Sequence, residues 1–153
     1  MKIGVISDTH GWLDPRVEKI FAGVKHILHA GDFGHATLIL ELQFIAPVTA
    51  VLGNCDNDPG YRLTETIELA RKKFLIHHIV NPHALTHSAA EVIAKAAPHA
   101  VIFGHTHKRL AETVNGIFFF NPGYAGKPRF GLQRTLAILH SDPDGIHPEF
   151  LPL

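Results

Sequence analysis

The stretch Ala100-Val101-Ile102-Phe103-Gly104-His105-Thr106-His107 decides how this chain reads. Four apolar residues make a short buried strand. A glycine then lets the backbone turn sharply, and two imidazoles follow, one residue apart. Imidazole is the commonest metal ligand. The same grammar, an apolar run that ends in donor side chains, recurs along the chain. Lys2–Ser7 leads into Asp8-Thr9-His10, His26–Ala30 into Gly31-Asp32, and Val48–Leu52 into Gly53-Asn54-Cys55-Asp56. A further strand read over Phe74–Ile79 carries His77-His78. Strand ends on one edge of a parallel sheet converge in space, and open α/β sheets bind ligands there. Seven donors at one edge exceed the needs of one tetrahedral zinc and suit two ions that share a carboxylate.

Between these patches the periodicity changes from two to 3.6. Asp14-Pro15 reads as an N-cap and first helical position, ahead of Val17, Ile20, Phe21 and Val24 on one helical face. Ala36–Ala46 carries Leu38, Leu42 and Ile45 on one face and is stopped by Pro47. The order β-α-β-α-β implies a parallel sheet with right-handed crossovers. Asn57-Asp58-Pro59-Gly60 is a loop. Thr66–Leu69 and Phe74–Ile79 form a hairpin around Ala70-Arg71-Lys72-Lys73. Ser88 and Glu91 make a capping box for a helix containing Val92, Ile93 and Ala96, which Pro98 ends. Ile117–Phe120 and Thr135–Leu139 are later strands, joined through Asn121-Pro122-Gly123 and expected to be antiparallel. The pattern gives two packed sheets flanked by helices.

At 153 residues the chain fits one domain, residues 1–153, and 46% apolar against 18% charged residues supplies a core. Fourteen Lys and Arg balance fourteen Asp and Glu, with no basic stripe, which argues against an extended nucleic-acid partner. No apolar segment approaches the ~20 residues of a membrane span, and the N-terminal apolar run is too short for a signal peptide. Cys55 is the single cysteine, so no intrachain disulfide forms; this favours a reducing compartment, the cytoplasm. Thirteen histidines are an excess that the strand-end patches explain in part.

If strand geometry persists, Asp8 and His10 point the same way, as do His105 and His107. Asp32 can bridge two cations with its two oxygens, and Asn54 offers an amide oxygen. Mixed imidazole, carboxylate and amide donors suit Mn, Fe, Ni or Zn better than Ca or Cu(I).

On these motifs, taken in order from Met1 to about Leu139, the chain resembles the calcineurin-like metallophosphoesterases. The likeness is greatest to their small single-domain archaeal and bacterial phosphodiesterases. The resemblance implies an α/β fold, a four-layer α-β-β-α sandwich of two mixed sheets flanked by helices. It implies a first metal on Asp8, His10 and His107, a second on Asn54, His77 and His105, and Asp32 bridging both with a hydroxide. That hydroxide would attack a phosphodiester, with weak phosphomonoesterase activity as a side reaction. Two divalent transition-metal ions follow, manganese favoured, with Fe, Ni or Zn as alternatives. Asn54 and Cys55 join Asp32 as expected catalytic groups. Cys55 stands where larger members carry a histidine that protonates the leaving group. Asn54 and His35 are expected substrate contacts. His77 is placed by the family pattern, with His78 as its rival. The expected partner is a small phosphate ester, and a homo-oligomer is left open. The alternative is a scaffold of the same fold, like the small subunit of retromer. A complete donor set favours the enzyme.

Overall fold

The computed structural model describes residues 1–153. In chain order the elements are β1 (Lys2–Ile6), α1 (Arg16–Ile20), β2 (His26–His29), α2 (Ala36–Gln43), β3 (Val48–Ala50), β4 (Thr64–Leu69) and β5 (Lys72–His77). Then follow α3 (His87–Ala96), β6 (Ala100–Ile102), β7 (Leu110–Val114), β8 (Ile117–Asn121), β9 (Thr135–Asp142) and β10 (Gly145–Pro152). One sheet runs β10-β9-β1-β2-β3 and the other β4-β5-β6-β8-β7. Each mixes parallel and antiparallel pairs: β1, β2 and β3 are parallel, as are β5, β6 and β8.

The alternation of side chains along each strand builds the layers. Ile3 and Val5 of β1 and Leu28 of β2 meet Phe74 and Ile76 of β5, Ala100 and Ile102 of β6, and Phe120 of β8 between the sheets. The intervening residues face outward onto helices. Ile6 and Ile27 pack with Val17, Phe21, Leu38, Ile39 and Leu42 of the α1 and α2 layer. Leu75, Val101 and Phe119 pack with Ile93 of α3. The result is a four-layer α-β-β-α sandwich, as the resemblance implied.

Several local expectations are corrected. The apolar spacing through Val24 does not extend α1, which ends at Ile20; Phe21 still seals the core from the following turn. The β4–β5 turn is two residues long, Ala70 and Arg71 at φ 50° and 63°, so β5 starts at Lys72. This matches the left-handed turns of two-residue hairpins, made here without glycine. α3 is capped by Thr86, whose Oγ1 accepts from the Ala89 N–H at 3.2 Å, and not by Ser88. Glu91 instead pairs with His87 at 3.2 Å, one turn earlier. β8 and β9 belong to different sheets, so Asn121-Pro122-Gly123 carries the chain from one sheet to the other. β7 and β10 complete the two sheets; Asn115-Gly116, both left-handed, is the hairpin signal that marks β7.

Candidate metal centre

The parallel strands β1, β2 and β3 deliver Asp8, Asp32 and Asn54 to one edge, and β5 and β6 deliver His78 and the Gly104–His107 loop to the same place. Backbone bonds between loops fix the register: Asp8 N–H to the Gly31 carbonyl (3.0 Å), His10 N–H to Asp32 (2.9 Å) and Gly104 N–H to His78 (3.0 Å). β1 ends at Ile6 and β6 at Ile102, so the donors do not continue the strands as expected. Asp8, His10, Asp32, His105 and His107 all stand at left-handed φ, between 47° and 67°. Such a conformation costs a non-glycine residue on the order of 1–3 kcal/mol and gathers at functional sites. Glycine is required where the loops touch. A Cβ on Gly104 would collide with Ser7 Oγ and lie 2.7 Å from Asp8 Oδ2.

Asp8 is fully buried. Its carboxylate accepts from Ser7 Oγ (2.7 Å) and from the His105 N–H, and lies 3.2 Å from His107 Nε2. Burial alone would raise this carboxyl, but the bonds from His107 and Ser7 outweigh it and hold it below the ordinary carboxylate value. The same contact raises the His107 imidazole. Asp32, also buried, accepts from the Cys55 N–H through Oδ1 at 2.8 Å. Its Oδ2 stands 3.4 Å from His78 Nε2 and 3.9 Å from His10 Nε2. Asn54 Oδ1 lies 2.9 Å from His105 Nδ1 and 3.2 Å from His78 Nε2. Potential donor atoms of Asp8, His10 and His107 fall within 4.8 Å of one another; so do those of Asp8, Asp32 and His78, and of His10, Asp32 and Cys55.

His77, the expected ligand, stands outside this group. Leu75 and His77 face α3, whereas Phe74 and Ile76 face the other sheet, and His78 continues that inner set. The His77 ring turns to Thr64 Oγ1 at 2.7 Å, away from the cluster. His78 is buried, and its Nδ1–H donates to the Ala30 carbonyl at 2.7 Å, which leaves Nε2 bare toward Asp8, Asp32 and Asn54. A carbonyl that fixes the second ring nitrogen is the usual arrangement behind a metal-binding histidine. His35, exposed at the start of α2, packs its ring over Gly11 and stands outside the cluster.

The donor set fits cations. Two buried carboxylates stand among imidazoles with no Lys or Arg beside them, and His10 Nε2 is buried without a hydrogen-bond partner. Cys55 lies exposed at the rim; partial desolvation and the Asp32 carboxylate push its thiol up.

Supporting residues hold the loops in place, in roles that the sequence pattern does not assign to them. Asp56 accepts from the Phe33, Gly34 and Gly53 N–H groups, tying the Asp32 loop to the Asn54 loop. Buried Asn121 donates to the Gly104 carbonyl (2.7 Å) and to Thr106 Oγ1 (3.2 Å), holding the histidine loop. It ends an apolar run, as the donors do, and that signal was available. Tyr124 packs its ring 4.8 Å from that of His107. His29 accepts from the Gly31 N–H through Nδ1, so Nε2–H donates to Thr9 Oγ1 at 3.0 Å. Complete burial pushes this imidazole down to about 4.

Residues 1–144 match the model of the calcineurin-like phosphoesterase superfamily domain. The chain is 30% identical over 161 aligned positions to a probable metallophosphoesterase of Methanothermobacter thermautotrophicus, covering 99% of this chain and 92% of that one. It is 29% identical over 157 positions to a phosphodiesterase of Methanocaldococcus jannaschii, covering 88% and 93%. The solved structure of Vps29 from Entamoeba histolytica with zinc superposes at a TM-score of 0.75 over 99% of each chain; at 21% identity that likeness is one of fold.

Proposed function

Because the chain belongs to the calcineurin-like phosphoesterase superfamily, a family of hydrolases, we propose that it hydrolyses phosphodiesters using two divalent transition-metal ions. Asp8, His10 and His107 would hold one ion, Asn54, His78 and His105 the other, and Asp32 would bridge them. When bound, such a pair supplies Lewis-acid activation of water to hydroxide for attack at phosphorus. The observation that carries this reading is the buried pair Asp8 and Asp32, surrounded by His10, His78 and His107 with no Lys or Arg to balance them, and with His10 Nε2 unpartnered. Oxygen and nitrogen donors together favour manganese, with Fe, Ni or Zn as rivals.

The protein's own groups do the rest. Asp8 is fixed by Ser7 and the His105 N–H, and Asp32 by the Cys55 N–H, so both carboxylates are oriented in advance. Cys55 stands beside His10 and Asp32, and its thiol would protonate the departing alkoxide. Asn54, exposed above the cluster, and His35 on the α2 side would contact the substrate. No helix is long and apolar enough to cross a membrane, and the single exposed cysteine suits a reducing cytoplasm. The shared fold of Vps29 keeps the scaffold reading in view, but a scaffold has no need of the full donor set.

The test is metal analysis of protein loaded with Mn²⁺, paired with turnover of bis(4-nitrophenyl) phosphate. Two ions per chain and chelator-sensitive hydrolysis are expected. One ion at saturation, or turnover that survives thorough chelation, would sink the proposal.

A further inference from the structure

A pocket of about 260 Å³ adjoins the cluster on its β5 side, lined by Leu52, Gly53, Asn54, Leu63, His77, His78 and Ile79. Two of its walls, Asn54 and His78, are also walls of the metal centre. The rest is apolar or uncharged, with no Asp, Glu, Lys or Arg. Leu63 and Ile79 are 64% and 47% exposed, although large aliphatic side chains ordinarily bury themselves. His77, excluded from the cluster, also lines the pocket, its ring held by Thr64. Drug-sized ligands occupy pockets of about 300–1,000 Å³, so this one has room for a single substituent. A larger groove between α1 and α2 shares no residue with the cluster.

We propose that this pocket seats one uncharged, apolar ester group of the phosphodiester, an aryl or short alkyl alcohol residue, with phosphorus placed over Asn54 and His78. The inference rests on the phosphodiesterase reading and narrows it. Diesters with a neutral apolar alcohol bind better than those whose alcohol carries a charge. Leu63 and Ile79 then determine specificity, and they are expected to act on KM.

The test uses the Mn²⁺-loaded protein with Leu63→Asn and Ile79→Asn. KM for bis(4-nitrophenyl) phosphate should rise about five- to tenfold, with kcat within about twofold and the Ki of inorganic phosphate, which has no organic group, unmoved. Among diesters with one leaving group, 4-nitrophenyl ethyl phosphate should outperform 4-nitrophenyl 2-carboxyethyl phosphate in the parent protein, and the variants should narrow that gap. Unchanged KM overturns the proposal. So does a phosphate Ki that rises in step with KM, since that reports damage to the metal centre. If the parent turns over no diester at all, the phosphodiesterase reading fails separately. The pocket is then judged by methyl NMR: 4-nitrophenol should shift the Leu63 and Ile79 methyl signals, and their silence overturns it.

Discussion

Replacing His78 by alanine removes an Nε2 that stands 3.4 Å from Asp32 and 3.2 Å from Asn54, and frees the Ala30 carbonyl. We expect His78→Ala to lose one ion per chain and at least about a hundredfold in kcat/KM, whereas His77→Ala keeps both ions; metal analysis of the two variants decides. The sequence pattern pointed to His77 because it follows Phe74-Leu75-Ile76 directly. What the pattern lacked was a face: Phe74 and Ile76 look inward, so the period of two selects His78. The remaining donors were legible because each follows an apolar run. His29 was not, since nothing in the sequence says that a strand histidine is fully buried. Its Nδ1 accepts from the Gly31 N–H, so protonation breaks that bond. Its folded value, about 4, lies below the ordinary 6.5. Above pH ~6.5 both folded and unfolded chains are neutral there, and the group is indifferent to pH. Between ~6.5 and ~4 the unfolded chain gains a proton that the folded one refuses, so stability falls, by on the order of 3 kcal/mol in full. Chemical denaturation of chelated protein from pH 7 to pH 4 should show this slope, and His29→Gln should flatten it.

Loops and caps, at the scale of elements, decide how the donors are presented. Thr86→Ala deletes the hydroxyl that caps α3 and should cost about 1 kcal/mol while leaving metal content unchanged; a variant that loses metal would contradict the placement of α3 on the outer face. Gly104→Ala should do the reverse. A methyl there meets Ser7 and Asp8, so the histidine loop must shift, and metal content should fall more than helicity. Periodicity revealed β1 to β3 and their crossovers because apolar runs alternate with helical spacing. It overran α1, since Phe21 and Val24 are buried by a turn as well as a helix would bury them. It also missed β7, whose Leu110–Val114 stretch alternates between half-buried and exposed residues and carries little apolar signal at the sheet edge.

For the whole molecule, the two sheets are joined at the centre as well as through the core: Asp8 accepts from His105 across 97 residues, and His78 donates to Ala30 across 48. Ions that bind only the folded chain stabilise it, by about 2.7 kcal/mol for one site at a hundredfold excess over Kd. That corresponds to a rise in Tm of roughly 5–10 °C for a chain of this size. Calorimetry with Mn²⁺ and with chelator should show it, and equal Tm values would argue against a built site. Two packed sheets with flanking helices were visible in the alternation of strands and helices, and the resemblance supplied the four layers, while the crossing from β8 to β9 was hidden, because the turn signal at Asn121-Pro122-Gly123 does not say which strand comes next to which. That crossing has a temporal consequence. β1 lies between β2 and β9, and β9 leaves the ribosome long after β1. During synthesis Asp8 therefore waits without His105 and His107, and β1 without β9, until residues 105–107 and then 135–142 have emerged. The centre is a late product of assembly, so stopped-flow experiments should find that Mn²⁺ slows unfolding and leaves the folding rate untouched.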